Sequence, residues 1–201
     1  MLKPEFFAEL ASSNPAPGGG AVAALAGQLG GGLLVMVQQL SRPEDCLKAE
    51  ELKKQAYEME ALISEDTQAF NQVMDAFRLP KATEEEKIKR KAAIQAAYKT
   101  ATLAPLKTAE KSLALLYRAH DLLDICNKNC ASDLGVAVVL LRSAVEGGLM
   151  NMEINLPAIK DEEFVEQISR KIHRIKDECE NLLHDITDRM KELELIALPK
   201  L

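Results

Sequence analysis

Residues 52–77, LKKQAYEMEALISEDTQAFNQVMDAF, decide how the chain is read. Positions 52, 56, 59, 63, 66, 70, 73 and 77 are separated by alternating steps of four and three, the spacing of one continuous seam along a helix. The seam reads Leu52, Ala56, Met59, Ile63, Asp66, Phe70, Val73 and Phe77, so a carboxylate stands where packing expects an apolar side chain. An unpaired buried charge is too unfavourable to persist, so Asp66 requires a partner, a raised pKa or a ligand cavity around it. A buried hydrogen bond or ion pair that fixes helix register is the structural alternative.

Outward from this helix, which the pattern extends over residues 44–77, the punctuation is clear. Arg42-Pro43 precedes it and Leu79-Pro80 follows it. Upstream, a short amphipathic helix over residues 3–12 is broken by Ser13-Asn14-Pro15-Ala16-Pro17, and a second helix runs from Gly18-Gly19-Gly20 to Ser41. Downstream, Thr83 and Glu86 form a capping box that opens a helix reaching toward Ala119, which Pro105 is expected to kink or split. Asp121 to Cys126 reads as a helical turn and Asn127-Lys128-Asn129 as an elbow. Ser132 is expected to cap a helix through Met152, and residues 161–195 form the last helix, with Ile168, Ile172, Ile175, Cys179, Leu182, Ile186 and Met190 on one face. The expected fold is all-α: a multi-helix bundle of long antiparallel helices around a Gly/Ala-rich central helix, one domain over residues 1–201.

Composition agrees, since Trp is absent and aromatics make up only 4%. A net charge of −6 with mixed signs argues against nucleic acid as a partner. Cys46, Cys126, Cys130 and Cys179 contain no C-x-x-C pair and read as free thiols of a reducing compartment. Met1 to Phe7 lacks a basic region followed by a long apolar run, so no signal peptide and a cytoplasmic location are expected. Gly18 to Leu40 carries no charge, but Gln28, Gln38, Gln39 and the small-residue stripe Ala23, Gly27, Gly31 favour a close-packed central helix over a membrane span.

The helix after the elbow repeats the anomaly of Asp66. Asp133, Ala137, Leu140, Ala144, Gly148 and Asn151 share one face, with Asn155 a turn beyond. Asp133 falls in the first turn, where free N–H groups favour an ionised carboxylate, although ordinary charge complementation explains it equally. Eighteen residues separate Asp133 from Asn151, about 27 Å along a straight helix, so the two serve different sites or meet through a second subunit. Gly18 to Gly20 at a helix start could bind an anion or make a tight entry turn; it matches neither a Walker A loop nor a dinucleotide fingerprint. His120, His173 and His184 have no zinc-site spacing, and Lys87, Lys89, Arg90 and Lys91 read as a solvated face. Lys81, in the turn Leu79-Pro80-Lys81, is the better candidate for an anionic substrate.

Several stretches together resemble the formiminotetrahydrofolate cyclodeaminase and methenyltetrahydrofolate cyclohydrolase family. They are residues 13–24 (SNPAPGGGAVAA), Asp66 with Ala69-Phe70, residues 79–83 (LPKAT), residues 127–137 (NKNCASDLGVA) and residues 151–155 (NMEIN). The resemblance implies a homodimer or larger assembly acting on the carbon that joins N5 and N10 of tetrahydrofolate, without metal or bound cofactor. Substrate would come from solution or from a partner such as a formiminotransferase. By that resemblance Asp66 is expected to transfer a proton and Asp133 to stabilise the cation, with these roles exchangeable. Asn127, Asn129, Ser132, Asn151 and Asn155 are expected around the pterin and the formyl oxygen, and Lys81 or Pro17 to Gly20 near the glutamate carboxylates. A non-catalytic helical dimerisation scaffold is the competing reading.

Overall fold

The computed structural model describes residues 4–195. Among them there are six α-helices and no strand: α1 Pro4–Leu10, α2 Gly19–Ser41, α3 Cys46–Arg78, α4 Glu84–Leu122, α5 Ala131–Glu153 and α6 Glu162–Glu192. Three 3-10 turns, Leu123–Ile125, Lys128–Cys130 and Leu156–Ala158, complete the connections.

α2 is the axis of the bundle and packs against α3, α4 and α5. Its small-residue stripe is what permits this: a Cβ on Gly27 would lie 2.9 Å from Ser112 Oγ, and one on Gly31 would lie 2.9 Å from the Ala56 Cβ. Gly20 faces Asp66, Gly27 faces Met59 and Gly31 faces Ala56, so α3 runs antiparallel to α2. The pairs Gly19 with Asn151, Gly147 with Ala23 and Gly30 with Leu141 make α5 antiparallel to α2 as well. Lys107 with Glu65 and Lys111 with Glu58 set α4 antiparallel to α3. α6 instead runs parallel to α4, through Lys99 with Asp161, Lys171 with Glu110 and His120 with Asp185. These exposed pairs set register and contribute little energy. The apolar face of α6 does the holding: Ile168, Ile172, Ile175, Cys179, Leu182, Ile186 and Met190 are all buried.

Three expectations change in detail. The buried stripe of α3 is Leu52, Ala56, Met59, Leu62, Ala69, Val73 and Ala76, while Ile63 and Phe70 are half-buried and Phe77 is exposed. A straight helix repeats every 3.6 residues, so a strict seven-residue seam drifts off the packed face, and Asp66 stays on it between Leu62 and Ala69. Pro105 does not split α4, which is continuous over 39 residues. Ser132 is not the cap of α5; Cys130 holds that position, and Ser132 lies inside the first turn. The Thr83 capping box is formed, with Glu86 N–H donating to Thr83 Oγ1 at 3.2 Å and Thr83 N–H to Glu86 Oε2 at 3.0 Å.

Because α2 begins at the level of Asp66, α3 and α4 continue past it as a pair. That tip has its own small apolar cluster of Val73, Ala76 and Ala97, backed by Ile94, Tyr98 and Ala101. The space between tip and bundle is the site.

Candidate active site

A cleft of about 400 Å3 opens where α2 starts, a volume typical of small-molecule sites. Gly18 to Gly20 form its floor, Asp66 and Phe70 one side, Asn151 and Asn155 the other, and Phe77 and Tyr98 the outer wall. Phe77 and Tyr98 meet edge to face, ring centres 6.2 Å apart, a rigid apolar wall against which a flat ring can lie.

Asp66 sits against the backbone of Gly20. A Cβ there would lie 2.5 Å from the Asp66 Cγ and 2.7 Å from its farther oxygen, so glycine is required for the two helices to meet with a carboxylate between them. Burial pushes the Asp66 pKa above its ordinary value of 3.8, and a hydrogen bond from the Ala21 backbone N–H pulls it partly back. No cation contributes to that shift. The half-buried carboxylate thus meets the requirement posed by its place in the seam through a raised pKa beside a cavity.

The two asparagines reach the cleft by different devices. Asn151 Nδ2 donates to the Gly147 carbonyl at 2.8 Å, within its own helix. Asn155 Nδ2 donates to the carbonyls of Ala101 and Asn151, each at 3.0 Å. Both amide protons of Asn155 and one of Asn151 are thus engaged by backbone carbonyls, and both side chains have Oδ1 left for the cleft. Among the described residues no Lys, Arg or His lines it. Besides the Tyr98 hydroxyl, its polar side chains offer a carboxylate and two amide oxygens, acceptors complementary to a cation or to N–H groups.

The remaining candidates lie elsewhere in the chain. Pro17 is buried next to the floor, and Lys81 is exposed in the turn after α3 and does not line the cleft. Asn127, Asn129, Ser132 and Asp133 cluster at the opposite end of α5. There the Asn127 N–H donates to Ser41 Oγ at 2.9 Å and Asn127 Oδ1 accepts from the Asn129 N–H at 3.0 Å, which ties the end of α2 to the start of α5. Asn129 and Ser132 are exposed and Asp133 is half-buried. Within one chain Asp66 is thus grouped with Asn151 and Asn155 and separated from Asp133, the reverse of the pairing expected from the sequence. A smaller hollow of about 190 Å3 at that end is lined by Lys48, Glu51, Arg118 and Asp121, of which Arg118 pairs with Asp121 and Lys48 with Asp45 outside it.

Sequence reasoning missed Tyr98 and Ala101. Tyr98 had no detectable signal, whereas Ala101 is foreshadowed by Pro105, which removes the N–H that a carbonyl four residues back would receive. Among the described residues no group of three or more His, Cys, Asp or Glu is placed to hold a metal ion. Burial pushes the Cys126 thiol up to about 12 and the Cys179 thiol up to about 11, which disfavours thiolate chemistry at either.

A helical bundle open at one end onto an aromatic-walled cleft, with one unpaired carboxylate among amide oxygens, is the frame of a small-molecule enzyme. A family model described as formiminotransferase-cyclodeaminase matches residues 3–174. The methenyltetrahydrofolate cyclohydrolase of Methylorubrum extorquens is 33% identical over 92% of this chain and 94% of its own length. The formimidoyltransferase-cyclodeaminase of Gallus gallus is 34% identical over 87% of this chain, which corresponds to 34% of that longer protein. The crystal structure of formiminotetrahydrofolate cyclodeaminase from Thermotoga maritima superimposes with a TM-score of 0.82 at 26% identity, covering 96% of this chain and 98% of that one. The chain belongs to the formiminotransferase-cyclodeaminase family.

Proposed function

We propose that this chain acts on the carbon joining N5 and N10 of tetrahydrofolate, as a methenyltetrahydrofolate cyclohydrolase. The observation that carries this reading is Asp66: a half-buried carboxylate, free of a cationic partner, in a cleft that also holds the amide oxygens of Asn151 and Asn155. The 5,10-methenyl substrate is a cation delocalised over N–C–N, and such a cleft attracts it while the Phe77 and Tyr98 wall takes the flat ring system.

In the hydrolytic direction water adds to the methenyl carbon and gives a proton to Asp66. The C–N5 bond of the resulting carbinolamine then breaks, Asp66 returns its proton to N5, and the hydroxyl proton leaves as the formyl C=O forms. The products are 10-formyltetrahydrofolate and one proton. A raised pKa suits a group that both accepts and donates. The chemistry as written needs no bound cofactor, because the cation is itself the electrophile.

The Thermotoga relative favours a second reading at the same carbon. In the cyclodeaminase direction N10 adds to the protonated formimino carbon of 5-formiminotetrahydrofolate, Asp66 takes the N10 proton and passes it to the amino group, and ammonia leaves as the methenyl bridge closes. With purified protein, Asp66→Asn should abolish the loss of near-ultraviolet absorbance of methenyltetrahydrofolate; a folded variant with wild-type turnover refutes the role. Comparing that rate with ammonia release from formiminotetrahydrofolate decides the direction.

The proposal includes a cytoplasmic homodimer. Val22, Leu29 and Leu40 of α2 and Val136 and Met150 of α5 are exposed apolar side chains, and α2 carries no charge with which to solvate that face. Val136 and Met150 are equidistant in sequence from exposed Ser143. A twofold axis at Ser143 would set Val136 against Met150 of the partner subunit and bring the Asp133 end of one α5 toward the cleft of the other. Asp133 would then complete a site across the interface.

A further inference from the structure

Pro105 lies in the interior of α4, where a proline forfeits one helical hydrogen bond and its ring presses on the carbonyl four residues earlier. That carbonyl belongs to Ala101, which lines the cleft and receives a hydrogen bond from Asn155 Nδ2 at 3.0 Å. The second acceptor of the same amide, the Asn151 carbonyl, is orphaned for another reason: α5 ends at Glu153, and the Asn155 backbone N–H turns instead to Met152 O. Both neighbours of the Asn155 amide are therefore acceptors. Only the NH2 group can face two carbonyls, so Oδ1 is turned away from them.

From this we infer that Pro105 is a positioning residue for the substrate: by stripping Ala101 of its helical donor it fixes which atom Asn155 presents to the cleft. The backbone around it is built to the same end. Pro105 is buried, and a Cβ on Gly148 would lie 2.8 Å from its carbonyl oxygen, so α5 crosses α4 at this point and carries Asn151 and Asn155 onto the cleft in the next turns. Pro105 does not line the cleft; it acts through Asn155. A residue at position 105 with an N–H would give the Ala101 carbonyl a competing helical donor and leave the Asn151 carbonyl as the amide's main restraint, loosening it so that a donor can face the cleft where the cationic substrate of the proposed reaction meets an acceptor.

The inference rests on the folate reading for its effect on turnover but not for its effect on Asn155. Pro105→Ala should lower kcat/KM about 10- to 100-fold, the loss of one hydrogen bond to a charged group, at a thermal midpoint no lower than that of wild type. Asn155→Ala should lower it similarly, and the double variant should be no worse than Asn155→Ala alone; losses that multiply would overturn the inference. Side-chain amide NMR of the ligand-free protein gives the second readout. The Asn155 NH2 protons should exchange slowly with water in wild type and rapidly in Pro105→Ala. Fast exchange in wild type, or equal protection in both, overturns the inference. If wild type shows no turnover of methenyltetrahydrofolate, the proposed function fails while the amide protection still decides the role of Pro105.

Discussion

The contact between Gly20 and Asp66 can be turned into a number. Gly20→Ala places a methyl carbon 2.5 Å from the Asp66 Cγ, whereas ordinary contact begins at 3.4 Å, so the carboxyl group must retreat. The displacement is about 1 Å, and a misplacement of that size near reacting atoms lowers rates about 100-fold, or roughly 2.7 kcal/mol in the barrier. The added Cβ improves helix propensity but overpacks the junction of α2 and α3, so stability should fall by about 1–3 kcal/mol. Gly19→Ala is the matched comparison, because its methyl would meet Asn151 Nδ2 at 3.5 Å, a normal contact. The assay is the decay of methenyltetrahydrofolate absorbance with a melting curve on each protein. A folded Gly20→Ala protein with turnover within about threefold of wild type would refute the claim that the carboxylate's position sets the rate.

Two further outcomes follow from the same geometry. Since burial raises the folded-state pKa of Asp66 above 3.8, the folded protein binds the extra proton between those two pKa values, and ionised Asp66 opposes folding above them. Asp66→Asn should accordingly be more stable than wild type at neutral pH, with the gain vanishing near pH 3.8 and below, and the acid limb of wild-type kcat/KM should lie above pH 3.8. Denaturant titrations across pH check the first and a pH-rate profile the second; a gain that grows toward low pH contradicts the assignment. Leu29→Arg on the apolar face of α2 should convert dimers to monomers in light scattering, and mixing Asp66→Asn with Asp133→Asn subunits should restore about a quarter of wild-type activity if each site takes one carboxylate from each chain. No recovery on mixing would remove Asp133 from the cleft.

The helices were legible because their signals are local: caps, prolines and a seam of apolar side chains. Asp66 was legible as an exception to that seam, and the family resemblance gave it a chemistry. Its neighbours were harder. The one-dimensional distance between Asp133 and Asn151 showed that both could not sit in one pocket, but which of them joins Asp66 depends on the antiparallel register of α2 with α3 and α5, a tertiary fact. Pro105 is expected to kink or split α4 because a lost hydrogen bond usually bends a helix. Buried packing against α5 keeps α4 continuous, and the freed carbonyl finds its donor in Asn155. Cys130 replaces Ser132 as the cap because the preceding 3-10 turn, held by Asn127, already starts the helical path two residues early.

The separate apolar cluster at the tip of α3 and α4 bears on how this protein can change. Val73, Ala76 and Ala97 pack among themselves and not against α2, so exchanges among them leave the Gly20–Asp66 contact in place. The wall of Phe77 and Tyr98 thus belongs to a different packing unit from Gly20 and Asp66, and the tip is joined to the α5 side of the cleft through Ala101 and Asn155. Selectivity for larger or longer-tailed ligands can therefore drift while the reacting atoms stay where they are.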